Sequence, residues 1–330
     1  MGFDWLIDYL LSPFKDLIAN LTRIISQAFR TLELSMNVKV GFVGLGLMGA
    51  PMAENLLSAG FDVHVISRSR GPIDRLVTKG AVHATSYREL AEGAKFIVTM
   101  LPTPKSTREV LFEPDGLIAQ LDPETILIDM ATEDPSLSLE IYNIAKGNQI
   151  AALDAPVSGG DVGAIAGKLS IMVGGDREAF DRAQGLFAPM GTPRYLGGAG
   201  SGSKVKAANQ VIVAGTLAAL SEALLLLDDS VSTVDALAAL GGGRAGSALL
   251  EAKGASMIEG RFEPGFKVDL HLKDLKIALD YAKEKGVSAP VTALATQLLT
   301  AVSLSGGGDL DHSAIIQAIR GLAKLQLNLG

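Results

Sequence analysis

"VKVGFVGLGLMG", residues 38–49, is an apolar, β-branched run that ends in three glycines, Gly44, Gly46 and Gly49. The run has the length of a buried strand, and the segment after it, "GAPMAENLLSAG", reads as a helix. A strand, a G-x-G-x-x-G turn and a helix in that order form the dinucleotide fingerprint. The first glycine permits the tight turn, the second lets backbone approach a pyrophosphate, and the third packs helix on strand. Gly44, Leu45, Gly46, Leu47, Met48 and Gly49 are therefore the expected cradle, with the phosphates at the helix N-terminus.

Outward from this turn the chain alternates short apolar runs with helical patterns, the mark of a parallel α/β sheet. "DVHVIS" (62–67) is the second strand, and no carboxylate stands at its end to bind adenosine ribose hydroxyls. Ser67 and Arg68 stand there instead. A guanidinium at that place suits a 2′-phosphate, so NADPH is favoured, with NADH possible. "KFIVTML" (95–101), "TILIDM" (125–130), "QIAALDAP" (149–156) and "LSIMVGG" (169–175) continue the strand pattern. Ligands sit beyond the carboxyl ends of such strands. That rule nominates Leu101, Pro102 and Thr103 in "LPTP" and Thr132 in "DMATEDP" as cofactor contacts, although Pro, Thr and Asp are ordinary turn residues too. "DAPVSGG" (154–160) brings Ser158, Gly159 and Gly160 to another strand end, where a hydroxyl and open backbone N–H groups can hold a carboxylate or oxyanion.

After "RYLGGAGSG" (194–202) only helical patterns follow, so the expected organisation is a helical extension at 1–35, a Rossmann-type domain at 36–197 and an all-α domain at 198–330. The first helix of the last part, "KVKAANQVIVAGTLAALSEALLLL", is apolar nearly all round beyond Gln210. Lys206, Asn209 and Gln210 share a face at its start. Lys204 is turned from Lys206 by about 200°. Only Lys206 can point with the amides into a cleft.

Composition narrows the function classes. With 48% hydrophobic and 20% charged residues over 330 positions the chain can bury a large core, and a net charge of −7 with no basic run argues against nucleic acid as a partner. It has no cysteine, which removes disulfides and thiolate chemistry and suits a cytoplasmic location. Its four histidines show no metal-ligand spacing. In residues 1–35, Leu6, Leu10, Phe14, Leu17, Leu21, Ile24, Ala28 and Leu32 recur every three or four positions. This is an amphipathic helix or helix pair, too charged to span a bilayer and unlike a secretory signal. It suits docking to a partner protein, a shell or a membrane surface, or packing on its own oligomer, and the plainer alternative is an upstream start codon ahead of Met36.

"GFVGLGLMG", "DAPVSGG", "GAIAGKLSIMVGGD", "GSGSKVKAANQVIVA" and "FKVDLHLKDLKIALD" together resemble the β-hydroxyacid dehydrogenase family across roughly residues 36–325. "GGGRAGSALLEAK" is most similar to its tartronate semialdehyde-reducing branch. The resemblance implies NADPH-dependent, reversible reduction of tartronate semialdehyde (2-hydroxy-3-oxopropanoate) to glycerate. It implies Lys206 as catalytic acid and base, with Asn209 or Gln210 as the amide beside it. It also implies Ser158, Gly159 and Gly160 for the substrate carboxylate, Lys273 closing over site and nicotinamide, and Phe266 lining that closure. Ala131 departs from the serine that relatives commonly carry beside Thr132. The alternatives are a 3-hydroxyisobutyrate or other short 3-hydroxyacid dehydrogenase, and a nucleotide-binding scaffold docked through its first helix. The long apolar helix points to a homodimer or homotetramer.

Overall fold

The computed structural model describes residues 38–228 and 230–327, with side chains described as far as 322. The amphipathic segment 1–35 lies outside the described residues. The chain runs β1 (Lys39–Val43), α1 (Gly49–Ser58), β2 (Asp62–Ile66), α2 (Arg70–Val77), β3 (Val82–His83), α3 (Tyr87–Ala91), β4 (Phe96–Thr99), α4 (Pro104–Phe112), β5 (Ile126–Asp129), α5 (Pro135–Gly147) and β6 (Ala151–Asp154). There follow β7 (Val157–Ser158), α6 (Gly160–Ile165), β8 (Leu169–Gly175), α7 (Arg177–Phe187) and β9 (Gly191–Gly197). Helices alone follow: α8 (Ser201–Leu225), α9 (Thr233–Gly241), α10 (Ala248–Glu259), α11 (Val268–Glu284), α12 (Pro290–Val302) and α13 (Ile315–Leu327), with single short turns between some of them.

One sheet holds all nine strands, in the order β3-β2-β1-β4-β5-β6-β8-β7 with β9 on β8. The first six are parallel and reverse direction of winding between β1 and β4, which is the dinucleotide-binding topology. β8 then runs antiparallel to β6. Val40, Phe42, Val63, Val65, Val98 and Ile128 are fully buried, because strands covered by helices on both faces expose neither side.

The turn after β1 shows why the glycines stand where they do. Gly44 has φ +99°, a conformation that costs other residues energy, and a methyl on Gly49 would lie 1.9 Å from the Gly44 carbonyl oxygen. A side-chain carbon at Gly46 would meet nothing within 4 Å, so the backbone there is open to a ligand.

α8 is long and apolar enough, by length and composition, to cross a membrane. In the fold it is the central helix of the second core. Ala214, Leu217, Leu220 and Leu224 pack with Leu250, Val268, Leu275, Ala295, Leu299 and Ile315 from the surrounding helices. Its start is fixed to the sheet by Asp154, which accepts from the backbone N–H groups of Gly200 at 2.8 Å and Ser203 at 2.9 Å. The buried hydroxyls of Ser138 on α5 and Ser203 add a bond at 2.7 Å. These ties set the rotation of α8 about its own axis, and with it the direction of every side chain in its first turns.

Candidate active site

Lys206 is about one and a half turns inside α8, 6% exposed, while Lys204 is exposed on another face. The Lys206 ammonium donates to Gln210 Oε1 at 2.9 Å, and Asn209 Nδ2 donates to the same oxygen at 2.8 Å. Gln210 Nε2 in turn donates to Asp274 Oδ2 at 2.6 Å. Lys273 Nζ lies 3.0 Å from Asp274 Oδ1 and donates to the Thr132 backbone carbonyl at 3.0 Å. One polar chain thus links α8, α11 and the loop after β5. It contains Lys206, Asn209, Gln210, Lys273 and Thr132, all nominated from sequence, and Asp274, which sequence reasoning missed.

Burial pushes Lys206 down to about 8; the Asp274 carboxylate opposes that shift and the like charge of Lys273 assists it. An amine with that value exchanges a proton readily near neutral pH, as a general acid and base must. Of the two amides, Gln210 is the one bonded to Lys206, and Asn209 leans on Gln210.

The loop "SGG" leaves β7 and opens α6, with Ser158 half-buried and Gly159 at φ 142°. Next to it, Asp161 meets the Phe266 loop: a side-chain carbon on Gly265 would lie 2.8 Å from Asp161 Oδ1. That loop is held by Asp311, 1% exposed, whose Oδ2 accepts from the N–H groups of Gly265 and Phe266, both at 3.0 Å, and from Lys253 Nζ at 2.8 Å. Burial works against the Asp311 charge, but Lys253, Ser313 and the Phe266 N–H outweigh it and hold the carboxyl below its usual range. The Phe266 ring packs on two buried imidazoles, His271 at 5.4 Å and His312 at 5.2 Å. These share a bond between Nδ1 atoms at 3.1 Å, and burial pushes both well below the usual histidine value, so both are neutral. Phe266 therefore packs on His271, one turn before Asp274 on α11.

The residues nominated for the cofactor lie at the carboxyl ends of the strands. Leu101, Pro102 and Thr103 follow β4, and Thr103 caps α4 by accepting from the Ser106 N–H at 3.1 Å. Ser67 Oγ accepts from the Leu45 N–H at 3.4 Å, and Arg68 beside it is exposed at the end of β2. The open backbone at Gly46, just before α1, and a cation at the end of β2 together fit a dinucleotide phosphate and a 2′-phosphate. Among the described residues, no group of three or more His, Cys, Asp or Glu could hold a metal ion.

Residues 39–215 match the model for the NAD binding domain of 6-phosphogluconate dehydrogenase, and residues 200–319 match that for the NAD-binding domain of NADP-dependent 3-hydroxyisobutyrate dehydrogenase. The chain is 43% identical over 297 residues to 2-hydroxy-3-oxopropionate reductase of Escherichia coli, covering 88% of this chain and 100% of that one. It is 34% identical over 289 residues to an NAD-dependent L-serine dehydrogenase of Pseudomonas aeruginosa, covering 84% and 96%. A solved structure of Mycobacterium tuberculosis 3-hydroxyisobutyrate dehydrogenase with L-serine superposes with a TM-score of 0.77 at 30% identity, covering 86% and 100%.

Proposed function

The chain belongs to the β-hydroxyacid dehydrogenase family and is an NAD(P)-dependent 3-hydroxyacid dehydrogenase, and from that premise we propose that it reduces tartronate semialdehyde to glycerate with NADPH. The observation that carries the reading is the buried chain from Lys206 through Gln210 and Asp274 to Lys273. When bound, the nicotinamide supplies or takes the hydride. The work of the chain's own residues is to bind, orient and move one proton. In reduction the Lys206 ammonium gives a proton from Nζ to the carbonyl oxygen as negative charge grows there. In oxidation neutral Lys206 takes the hydroxyl proton. Gln210 holds Nζ through Oε1, which keeps its remaining donors aimed outward. Asn209 fixes Gln210 in that rotamer and orients the substrate oxygen. Ser158, with the Gly159 and Gly160 N–H groups, holds the carboxylate, and Lys273 screens its charge. Phe266 closes the apolar wall and keeps water out.

Thr132, Thr103, Pro102 and Leu101 contact the cofactor beside the Gly44–Gly49 turn, and Ser67 with Arg68 selects the 2′-phosphate. The test is steady-state turnover of purified protein with NADPH and NADH on tartronate semialdehyde, the semialdehyde of methylmalonate, and, in oxidation, L-serine. The expected result is the highest kcat/KM for tartronate semialdehyde with NADPH, and a KM for NADPH that rises in Arg68→Ala while that for NADH stays. A higher kcat/KM on the methylmalonate semialdehyde or on serine would move the substrate assignment to those branches.

The protein acts in the cytoplasm in this reading, and a second copy covers the outer face of α8. Val205, Ile212 and Leu226 stand exposed there, with Val291 and Leu294 exposed on α12, where Gly215 of α8 brings its backbone close to Val291. Sedimentation at micromolar concentration is expected to give a dimer or tetramer, and a monomer would remove this interface.

A further inference from the structure

Glu133 has no part in the scheme above, and its surroundings are unusual. It follows Thr132 in the loop after β5 and is 1% exposed. Its Oε1 accepts from the Thr107 hydroxyl of α4 at 2.6 Å, and its Oε2 is buried with no hydrogen-bond partner. A carboxylate oxygen left in that condition is costly, so a function that needs it there is worth seeking.

The charges that bear on it come from every element packed around it. They are Asp129 at the end of β5, Lys273 and Asp274 on α11, and Arg108 on α4. Burial first, then Asp129, pushes Glu133 up to about 8, with Thr107 and Lys273 holding it down and Asp274 adding to the rise. The group is neutral or charged according to small changes nearby.

In a sheet of this topology the first half takes the adenosine and the second half takes the other nucleotide, beyond the ends of β4 and β5. Lys273, bonded to the carbonyl of Thr132, joins that region to the catalytic chain. The nicotinamide ring is neutral when reduced and carries a positive charge when oxidised. A buried carboxyl group at the end of β5 feels that difference through a medium that screens poorly.

We propose that Glu133 distinguishes oxidised from reduced cofactor, keeping its proton when the reduced form binds and releasing it when the oxidised form binds. On release the O–H bond of the carboxyl group breaks, the electron pair stays on the carboxylate, and the proton goes to solvent. The resulting charge partners the oxidised ring. By linkage, a group that loses a proton on binding makes that binding tighter as pH rises. The idea needs only a nicotinamide cofactor, so it stands or falls apart from the identity of the substrate.

The test is the ratio of Kd for NADP+ to Kd for NADPH, by fluorescence and calorimetry, from pH 6.5 to 9.5, with no substrate present. Taking the ratio cancels the titration of the 2′-phosphate. A shift of one unit in Glu133 gives a fall in the ratio of about tenfold across that range. Calorimetry in buffers of different ionisation enthalpy reads the released proton directly. Lys206 also titrates near pH 8 and repels a cationic ring, so Glu133→Gln and Lys206→Met are measured beside the wild type. A fall that shrinks in Glu133→Gln, with proton release reduced, is the expected result. A fall that survives intact in Glu133→Gln, or a flat ratio in the wild type, overturns the proposal. Should Glu133→Gln fail to fold, Thr107→Val removes a bond to the charged form and must move the midpoint to higher pH. An unmoved midpoint there overturns it as well.

Discussion

Lys206→Ala is expected to lower kcat/KM for aldehyde reduction by about two to four orders of magnitude, the usual share of a general acid. Lys204→Ala, two positions earlier, is expected to stay within about twofold of wild type, as an exposed substitution away from any packed feature does. The contrast follows from helix phase. α8 is fixed at its start by Asp154 and Ser138, so Lys206 falls on the face that meets α11, and Lys204 points away. Because Lys206 is buried and, among the described residues, hydrogen-bonded to Gln210, its truncation removes the proposed proton donor while the Gln210–Asp274 bond at 2.6 Å remains to hold the helices together. Far-UV circular dichroism and thermal melting of both variants separate lost chemistry from lost fold. Equal losses in the two variants would mean that the lysines hold structure.

The second large effect is expected at Asp311. Asp311→Ala removes the acceptor of five hydrogen bonds at once, from Lys253, Gly265, Phe266 and the N–H and hydroxyl of Ser313, and leaves Lys253 beside the Phe266 loop without its carboxylate. Breaking such a buried pair from one side costs about 3–5 kcal/mol. Urea unfolding is expected to show a loss of that size. At temperatures where the variant is folded, KM for the substrate should rise more than kcat falls, since Gly265 also abuts Asp161 beside the Ser158–Gly160 loop proposed to hold the substrate carboxylate. Asp311→Asn keeps acceptor geometry on one oxygen and should recover part of both losses. A stability change below about 1 kcal/mol, the range of an exposed ion pair, would show that the pair is solvated in practice.

Much of the fold was legible because its signals are local. The G-x-G-x-x-G turn, the runs "DVHVIS", "TILIDM" and "LSIMVGG" and the apolar length of α8 each report a conformation set within a few residues. Lys206 was separable from Lys204 for the same reason, since helical phase is arithmetic on neighbouring positions. β9 went unread because it alternates half-buried and exposed residues at the sheet's edge and contains Pro193, and β3 has only two residues. The partners of the site were less legible. Asp274 meets Gln210 from 64 residues away and Asp311 meets Lys253 from 58, so in sequence each charge looks like a solvated helix or turn residue. Glu133 reads as one more acidic residue in "ATEDP". Only the packing of α4 and α11 over the end of β5 turns it into a buried acid.

The scaffold reading of the chain, in which the nucleotide fold is vestigial, does not survive the family assignment. Lys206 is the centre of the proposed mechanism. The most direct measurement is the pH dependence of kcat for glycerate oxidation and for tartronate semialdehyde reduction, with wild type and Lys206→Ala side by side. Oxidation needs the neutral amine and should rise to a plateau with a midpoint near the value of about 8 that burial gives Lys206, while reduction needs the ammonium and should fall through the same midpoint. In Lys206→Ala both limbs should vanish along with most of the rate. A wild-type profile flat between pH 6 and 10, or one that persists unchanged in Lys206→Ala, would contradict Lys206 as the residue that moves the proton.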